Sequence, residues 1–331
     1  MRTLLLGCLL SSAVAQAEPP PPPPDAPTAL LETVVVSGVQ PGPGLWKVSK
    51  GEHVLWVLGT LSPLPKRMSW ESREVEGVIA QAQRVLLTPR VDVDVAGGAF
   101  TGIFLLPSLL KARNNPDKQT LADVLPADLY ARWQPLKRKY IGRSDSVEKR
   151  RPIFAAQELY EEATDDAGLR IDGKVSETVE KLAKKHDVAL DSPSIKVRLA
   201  EPRDTLREFA KTSLDDIDCL RKTVERLETD LPAMQLRANA WAVGDVEALR
   251  ALPYVDQNQA CRDAMLRNSV VQERGMGDLR ERLAATWLAA AEKTLSENAV
   301  SLAVLPISQL FQDDGYLAAL QARGYAVEAP Q

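Results

Sequence analysis

Few residues in this chain can do chemistry, and their spacing limits which chemistry that is. There are two histidines in 331 residues, His53 and His186. His53 opens the apolar run His53-Val54-Leu55-Trp56-Val57-Leu58. His186 lies at a helix end in Lys184-Lys185-His186-Asp187, where a capping or solvated role is expected. Ser62 ends the turn Gly59-Thr60-Leu61-Ser62, just past the apolar run and at the far end of it from His53. A serine nucleophile needs a base within hydrogen-bond reach. The nearest is Lys66, and no Gly-x-Ser-x-Gly elbow surrounds Ser62, so a Ser62–Lys66 dyad is chemically conceivable without a supporting motif. Asp92 and Asp94 in Val91-Asp92-Val93-Asp94-Val95 fall on one face of a strand. Paired carboxylates can run acid–base chemistry, but the alternation reads first as a half-exposed edge strand.

Two cysteines carry a different chemistry. Arg2 followed by the apolar stretch Thr3 to Val14 and the small-x-small Ala15-Gln16-Ala17 reads as a signal peptide over residues 1–17. The apolar stretch is too short to span a bilayer comfortably. Leu5-Leu6-Gly7-Cys8 resembles a lipoprotein box, but it comes too early to leave an apolar segment before the cysteine. Removal of Cys8 with the signal leaves Cys219 and Cys261, an even count in an oxidising compartment. A Cys219–Cys261 disulfide between helical segments is expected, with two buried thiols as the alternative. A metal site is not, since two cysteines without nearby histidines cannot supply four ligands.

The elements that must position these residues follow from pattern. Residues 18–30 hold six consecutive prolines, Pro19 to Pro24, which form a stiff polyproline II spacer. Leu31 to Gly38 is β-branched and reads as a strand; it also resembles the TonB box of outer-membrane receptors, large barrels that this chain has too few alternating strands to be. Leu45 to Val48 and His53 to Gly59 form a hairpin. Trp70 to Gln83 reads as an amphipathic helix, Val85 to Thr88 and Val91 to Val95 as short strands, and Thr101 to Ala112 as an apolar helix. Helical patterns then cover about 119–141, 152–167, 174–186, 203–228, 230–243, 245–251, 257–267 and 278–297. Trp241 and Trp287 sit among alanines on helical faces and are expected in the core. Ser301 to Leu305, a helix from Gly315 to Arg323 that Asp313-Asp314 would cap, and Tyr325 to Glu328 close the chain. Strands at both ends around a helical middle predict an α/β (α+β) fold. One mixed central sheet would form from N- and C-terminal segments, with a large, mainly helical middle region at about 119–297, all in a single domain over 31–331. Net charge is −4, which gives no basic excess for nucleic acid or an anionic membrane surface.

The hairpin strand with Gly59-Thr60-Leu61-Ser62 resembles the start of the TraB/GumN family, which includes the Tiki metalloproteases. Ala303-Val304-Leu305-Pro306-Ile307-Ser308, Gly315-Tyr316-Leu317 and Gly324-Tyr325-Ala326-Val327 resemble its end, so the likeness covers about Leu45 to Pro330. The family carries Gly-Thr-x-His in the first element and Gly-x-x-His in the last, with metal bound through the histidines, and an acidic residue after the first helix. In this chain the corresponding positions are Ser62, Ser308 and Thr88, and Leu305 replaces the second glycine. Arg274 matches a basic family position, with Gly275 in place of the usual Asn. Hydroxyls are poor ligands for first-row transition metals. The resemblance thus implies an exported, periplasmic or secreted protein with no catalytic residues, no metal and no cofactor: a pseudoenzyme that binds a peptide or envelope-protein partner in a vacated metal-site cleft. The alternative is a residual metal-independent hydrolase or peptidase of the same cleft. Neither reading calls for nucleic acid or for stable membrane insertion after signal cleavage.

Overall fold

Alternating apolar positions on either side of Gly51-Glu52 fold the first segment back on itself. The computed structural model describes residues 39–40, 42–70, 73–96, 99–171, 173–252 and 257–330. The expected signal peptide, proline spacer and strand at 31–38 lie outside the described residues. Eight strands matter for the site: β1 (Leu45–Lys50), β2 (His53–Thr60), β3 (Arg84–Leu86), β4 (Arg90–Val95), β5 (Ala189–Asp191), β6 (Ser194–Leu199), β7 (Val300–Pro306) and β8 (Ala326–Glu328). Gly51 turns the hairpin at φ +62°, a conformation open to glycine without steric cost.

The central sheet has the order β8-β1-β2-β7-β3-β5. It is mixed: β1 runs antiparallel to both β2 and β8, while β2, β7, β3 and β5 are parallel. Segments from both chain ends interleave, as the sequence predicts, because β7 inserts between β2 and β3 with Leu305 beside Gly59 and Ala303 beside Leu86. One edge strand, β5, comes from the middle of the chain. It and β6, which pairs in parallel with β4, fall in the mainly helical middle region, between the helical patterns at 174–186 and 203–228. Ser194-Ile195-Lys196-Val197-Arg198-Leu199 alternates with period two, a strand signal in a segment that the helical patterns leave unassigned.

The helices are α1 (Arg73–Gln81), α2 (Ala99–Ala112), α3 (Pro152–Asp166), α4 (Lys174–Lys185), α5 (Pro202–Lys211), α6 (Ile217–Thr229), α7 (Leu231–Ala242), α8 (Gln257–Arg267), α9 (Leu279–Glu297), α10 (Ile307–Leu310) and α11 (Tyr316–Ala322), with shorter ones between. Three differ from the sequence reading. Trp70 is not helical; it is extended, and its ring packs edge-on against Trp241 with centroids 5.6 Å apart. The stretch 203–228 splits into α5 and α6, because Asp216 is drawn away to accept a hydrogen bond from the Ile153 backbone N–H at the start of α3 (2.8 Å). The stretch 119–141 breaks at Leu125-Pro126, since a residue before proline prefers an extended backbone. Asp313 and Asp314 do not cap α11; its N-cap is Gly315, with no side-chain bond, and a Cβ at Gly315 would lie 2.3 Å from the Gln309 carbonyl oxygen.

Three apolar clusters result, two large ones and a small third formed by Ile195 and Val197 of β6 with Leu279 of α9. The first surrounds the sheet and holds Trp46, Leu58, Trp241, Trp287 and Leu305. The second lies among α3, α6 and the helix Ala127–Leu136, and holds Trp133, Leu159, Cys219 and Leu227. Cys219 on α6 and Cys261 on α8 are disulfide-bonded, with Cα atoms 4.5 Å apart.

Candidate functional site

Three neighbouring parallel strands, β2, β7 and β3, end on the same side of the sheet. In open α/β sheets ligands bind outside the carboxyl ends of parallel strands. Ser62 follows β2, Thr88 follows β3, and Pro306 ends β7; all three line one cavity of about 720 Å³. That volume falls in the range of small-ligand sites, roughly 300–1,000 Å³. Gln309 of α10 and Tyr316 of α11 complete the sheet-side wall. The opposite wall lies beside the second core: Ile153, Ala156 and Tyr160 of α3, Thr223 of α6, and Gln257, Cys261 and Met265 of α8. The small third cluster adds Val91, Leu266, Leu279 and Leu283, so the cavity lies where the three clusters meet.

The strand ends are fixed by close packing and by hydroxyl groups. Gly59 is closely packed: a Cβ there would sit 3.0 Å from Ile307 Cγ1 and from Leu310 Cδ1, and 3.2 Å from the Trp46 ring, so a larger residue would push these side chains aside. The Gly59 carbonyl accepts a hydrogen bond from Trp241 Nε1 at 2.7 Å. Thr88 Oγ1 donates to the Val304 carbonyl (3.0 Å) and Thr60 Oγ1 to the Leu305 carbonyl (3.4 Å), so threonine hydroxyls hold the last turn of β7 from both neighbouring strands.

Ser308 is not in this cavity. It lines a second one, of about 350 Å³, with Leu61, Arg237 and Phe311. The cause is helical geometry. Gln309 of α10 turns to the first cavity beside Pro306 at the end of β7, whereas Ile307 and Ser308 of α10 line the second with Phe311 and Gln312 just beyond the helix.

The larger cavity offers hydroxyls (Ser62, Thr88, Thr223), amides (Gln157, Gln257, Asn258, Gln309) and apolar side chains, with Glu161, Arg262, Asp263 and Arg280 as its charges. Arg280 lies near Tyr316, whose phenol is pushed up by burial and partly eased by that guanidinium. Neither histidine lines it. His53 Nδ1 donates to the Asn298 carbonyl (2.7 Å), and His186 bonds Glu76 (3.1 Å), whose carboxyl Lys185 and His186 hold below its usual value. Lys66 does not line it either; its ammonium is 2.6 Å from Asp165 Oδ1. Asp92 pairs with Arg90 at 2.8 Å on a strand face open to solvent, and the Arg90 hydrogen bond lowers its pKa. Arg274 is engaged by Glu208 (2.7 Å).

A transition metal does not fit the donors present. Among the described residues no group of three or more His, Cys, Asp or Glu side chains is gathered where a metal could be held. Ser62 and Thr88 bring neutral hydroxyls, and that of Thr88 already donates to the backbone. Sequence reasoning missed Gln309, Tyr316, Arg280 and the α8 wall. Gln309 and Tyr316 had a signal, standing beside a motif serine and at the start of the closing helix, whereas α8 reaches the cavity only through the fold.

A mixed sheet with a cavity at its parallel strand ends, walled on one side by helices, defines an α/β protein. The chain belongs to the TraB/PrgY/gumN family, whose model matches residues 44–329. No curated protein and no solved structure matches it. Among the described residues, no helix is long and apolar enough to cross a membrane.

Proposed function

We propose that the protein is exported and binds an extended peptide, or a segment of an envelope protein, in the strand-end cavity without catalysing its cleavage. The observation that carries this reading is the composition of the cavity wall. Hydroxyls and side-chain amides can satisfy peptide N–H and C=O groups, apolar side chains can take alternate side chains, and neither a histidine nor a lysine lines the cavity to activate Ser62. On this reading Ser62 and Thr88 occupy positions where family members hold metal ligands, and Thr88 has become a structural latch on β7. Ser308 plays no part in the cavity. Export rests on the apolar N-terminal run and is consistent with the Cys219–Cys261 bond.

The test uses the purified full chain and a random decapeptide library read by mass spectrometry. A subset of peptides is expected to be retained and recovered intact. Ser62→Trp, an exposed position on the cavity wall, is expected to weaken retention by about tenfold or more, roughly 1.4 kcal/mol. Cleaved peptides whose production stops in Ser62→Ala would instead establish a hydrolase.

A further inference from the structure

A third cavity, of about 700 Å³, lies between α2, α5 and the loop 114–119. Its charged lining is almost wholly cationic: Lys111, Lys118, Lys149, Arg203, Arg207 and Lys211, against the single carboxylate of Asp117. Arg207 is paired with Asp204 at 2.6 Å. Among the described residues the other five cations form no ion pair with protein carboxylates. Like charges so arranged repel one another and attract an anion. The net charge of −4 conceals this cluster because its members come from separate segments of the chain.

The helix beside the cavity has the opposite character. Leu105 and Ala112 set the buried side of α2. Phe104, Leu106, Leu109 and Leu110 are exposed by 67%, 54%, 44% and 53%. At 100° per residue these four, with Pro107, cover most of its outward half. No other helix among the described residues exposes more than one large apolar side chain. Ser108 and Lys111 of α2 belong to the cavity wall, so the apolar face and the cationic cavity share an edge.

We infer that this face docks on an anionic lipid bilayer, with α2 lying in the interfacial plane and the cations of the cavity meeting headgroup phosphates. An apolar helix face bordered by lysine and arginine is the pattern of peripheral membrane binding. A free polyanion would engage the cations and leave the apolar half of α2 in water. Among the described residues no helix is long and apolar enough to span, and on this inference the docking is set at the surface.

The experiment is co-sedimentation of the full chain with vesicles of phosphatidylglycerol and phosphatidylcholine, beside vesicles of phosphatidylcholine alone. Binding is expected to the anionic vesicles only, and to weaken in high salt. The exposed triple variant Lys111→Glu, Arg203→Glu, Lys211→Glu and, separately, the double variant Phe104→Ser, Leu109→Ser are each expected to lose about tenfold or more in affinity with unchanged thermal unfolding. Failure to bind anionic vesicles, or equal binding to neutral ones, overturns the inference. So does binding of soluble inorganic polyphosphate that the triple variant loses and the double variant keeps at full vesicle affinity, which would assign a polyanion site instead. Ser62→Trp is expected to leave vesicle binding intact, which separates this face from the strand-end cavity.

Discussion

The core around the sheet is built almost entirely from apolar side chains. Trp46, Trp241 and Trp287 are each at most 2% exposed, and the helix after β7 packs directly on the Gly59 backbone. The core around α3 and α6 buries charge beside its leucines. Asp230 is gripped by Arg226 and by both guanidinium nitrogens of Arg237, Arg226 also reaches Gln257 on α8, and Arg151 donates to the Ala112 and Phe209 carbonyls. Asp216 is buried at the start of α3, and the Cys219–Cys261 bond ties α6 to α8. Shape holds one wall of the strand-end cavity, whereas a covalent bond and buried polar groups hold the other. The sheet wall should therefore break by steric insult, and the helical wall by reduction or a change of pH.

The largest effect is expected at the disulfide. Its sequence separation of 42 corresponds to about 4 kcal/mol of loop-closure stabilisation. Reductant, or a Cys219→Ala, Cys261→Ala variant, should lower the thermal unfolding midpoint by several degrees, and an unchanged midpoint would remove the distinction between the walls. Next is Gly59→Val. Its Cβ would crowd Ile307, Leu310 and Trp46, at a cost of about 1–3 kcal/mol in urea unfolding. Ser308→Ala, at the matching register position of β7's continuation, should cost about 0.5 kcal/mol or less.

The third prediction concerns pH. Burial raises the Asp216 carboxyl to about 6, against the pull of the Ile153 N–H and of Arg151, with Asp215 nearby adding to the rise. The folded state then holds a proton that the unfolded state gives up near its ordinary value, so the Asp216 contribution to stability is greatest below pH 4 and falls as pH rises through 6. The fall is on the order of 2–3 kcal/mol. Asp216→Asn should flatten that limb, and a variant with the wild-type slope would contradict the assignment. A smaller effect is expected at the latch. Thr88→Val loses the bond to Val304, about 1 kcal/mol, and Thr60→Val, whose contact is longer at 3.4 Å, should lose less.

Much of the sheet was legible because its strands carry strong local signals: a glycine-turned hairpin and an apolar run at each end. β5 and β6 were not, since a short alternating segment between helical stretches is ambiguous until a neighbour pairs with it. Ser62 and Thr88 were placed at the strand ends by sequence alone, and they do meet in one cavity. Ser308 was expected with them and lines another, because spacing along the chain does not fix which face of a short helix a residue occupies. The α8 wall was invisible, as it is brought there by a disulfide and a buried arginine network rather than by any motif. The cationic cavity was hidden by averaging over the whole chain.

The central claim is that the strand-end cavity binds without metal chemistry, and elemental analysis of the purified full chain tests it most directly. The account predicts no stoichiometric transition metal, even after incubation with zinc or manganese followed by gel filtration. One tightly bound metal per chain, lost in a Ser62→Ala, Thr88→Ala variant that still folds, would contradict it.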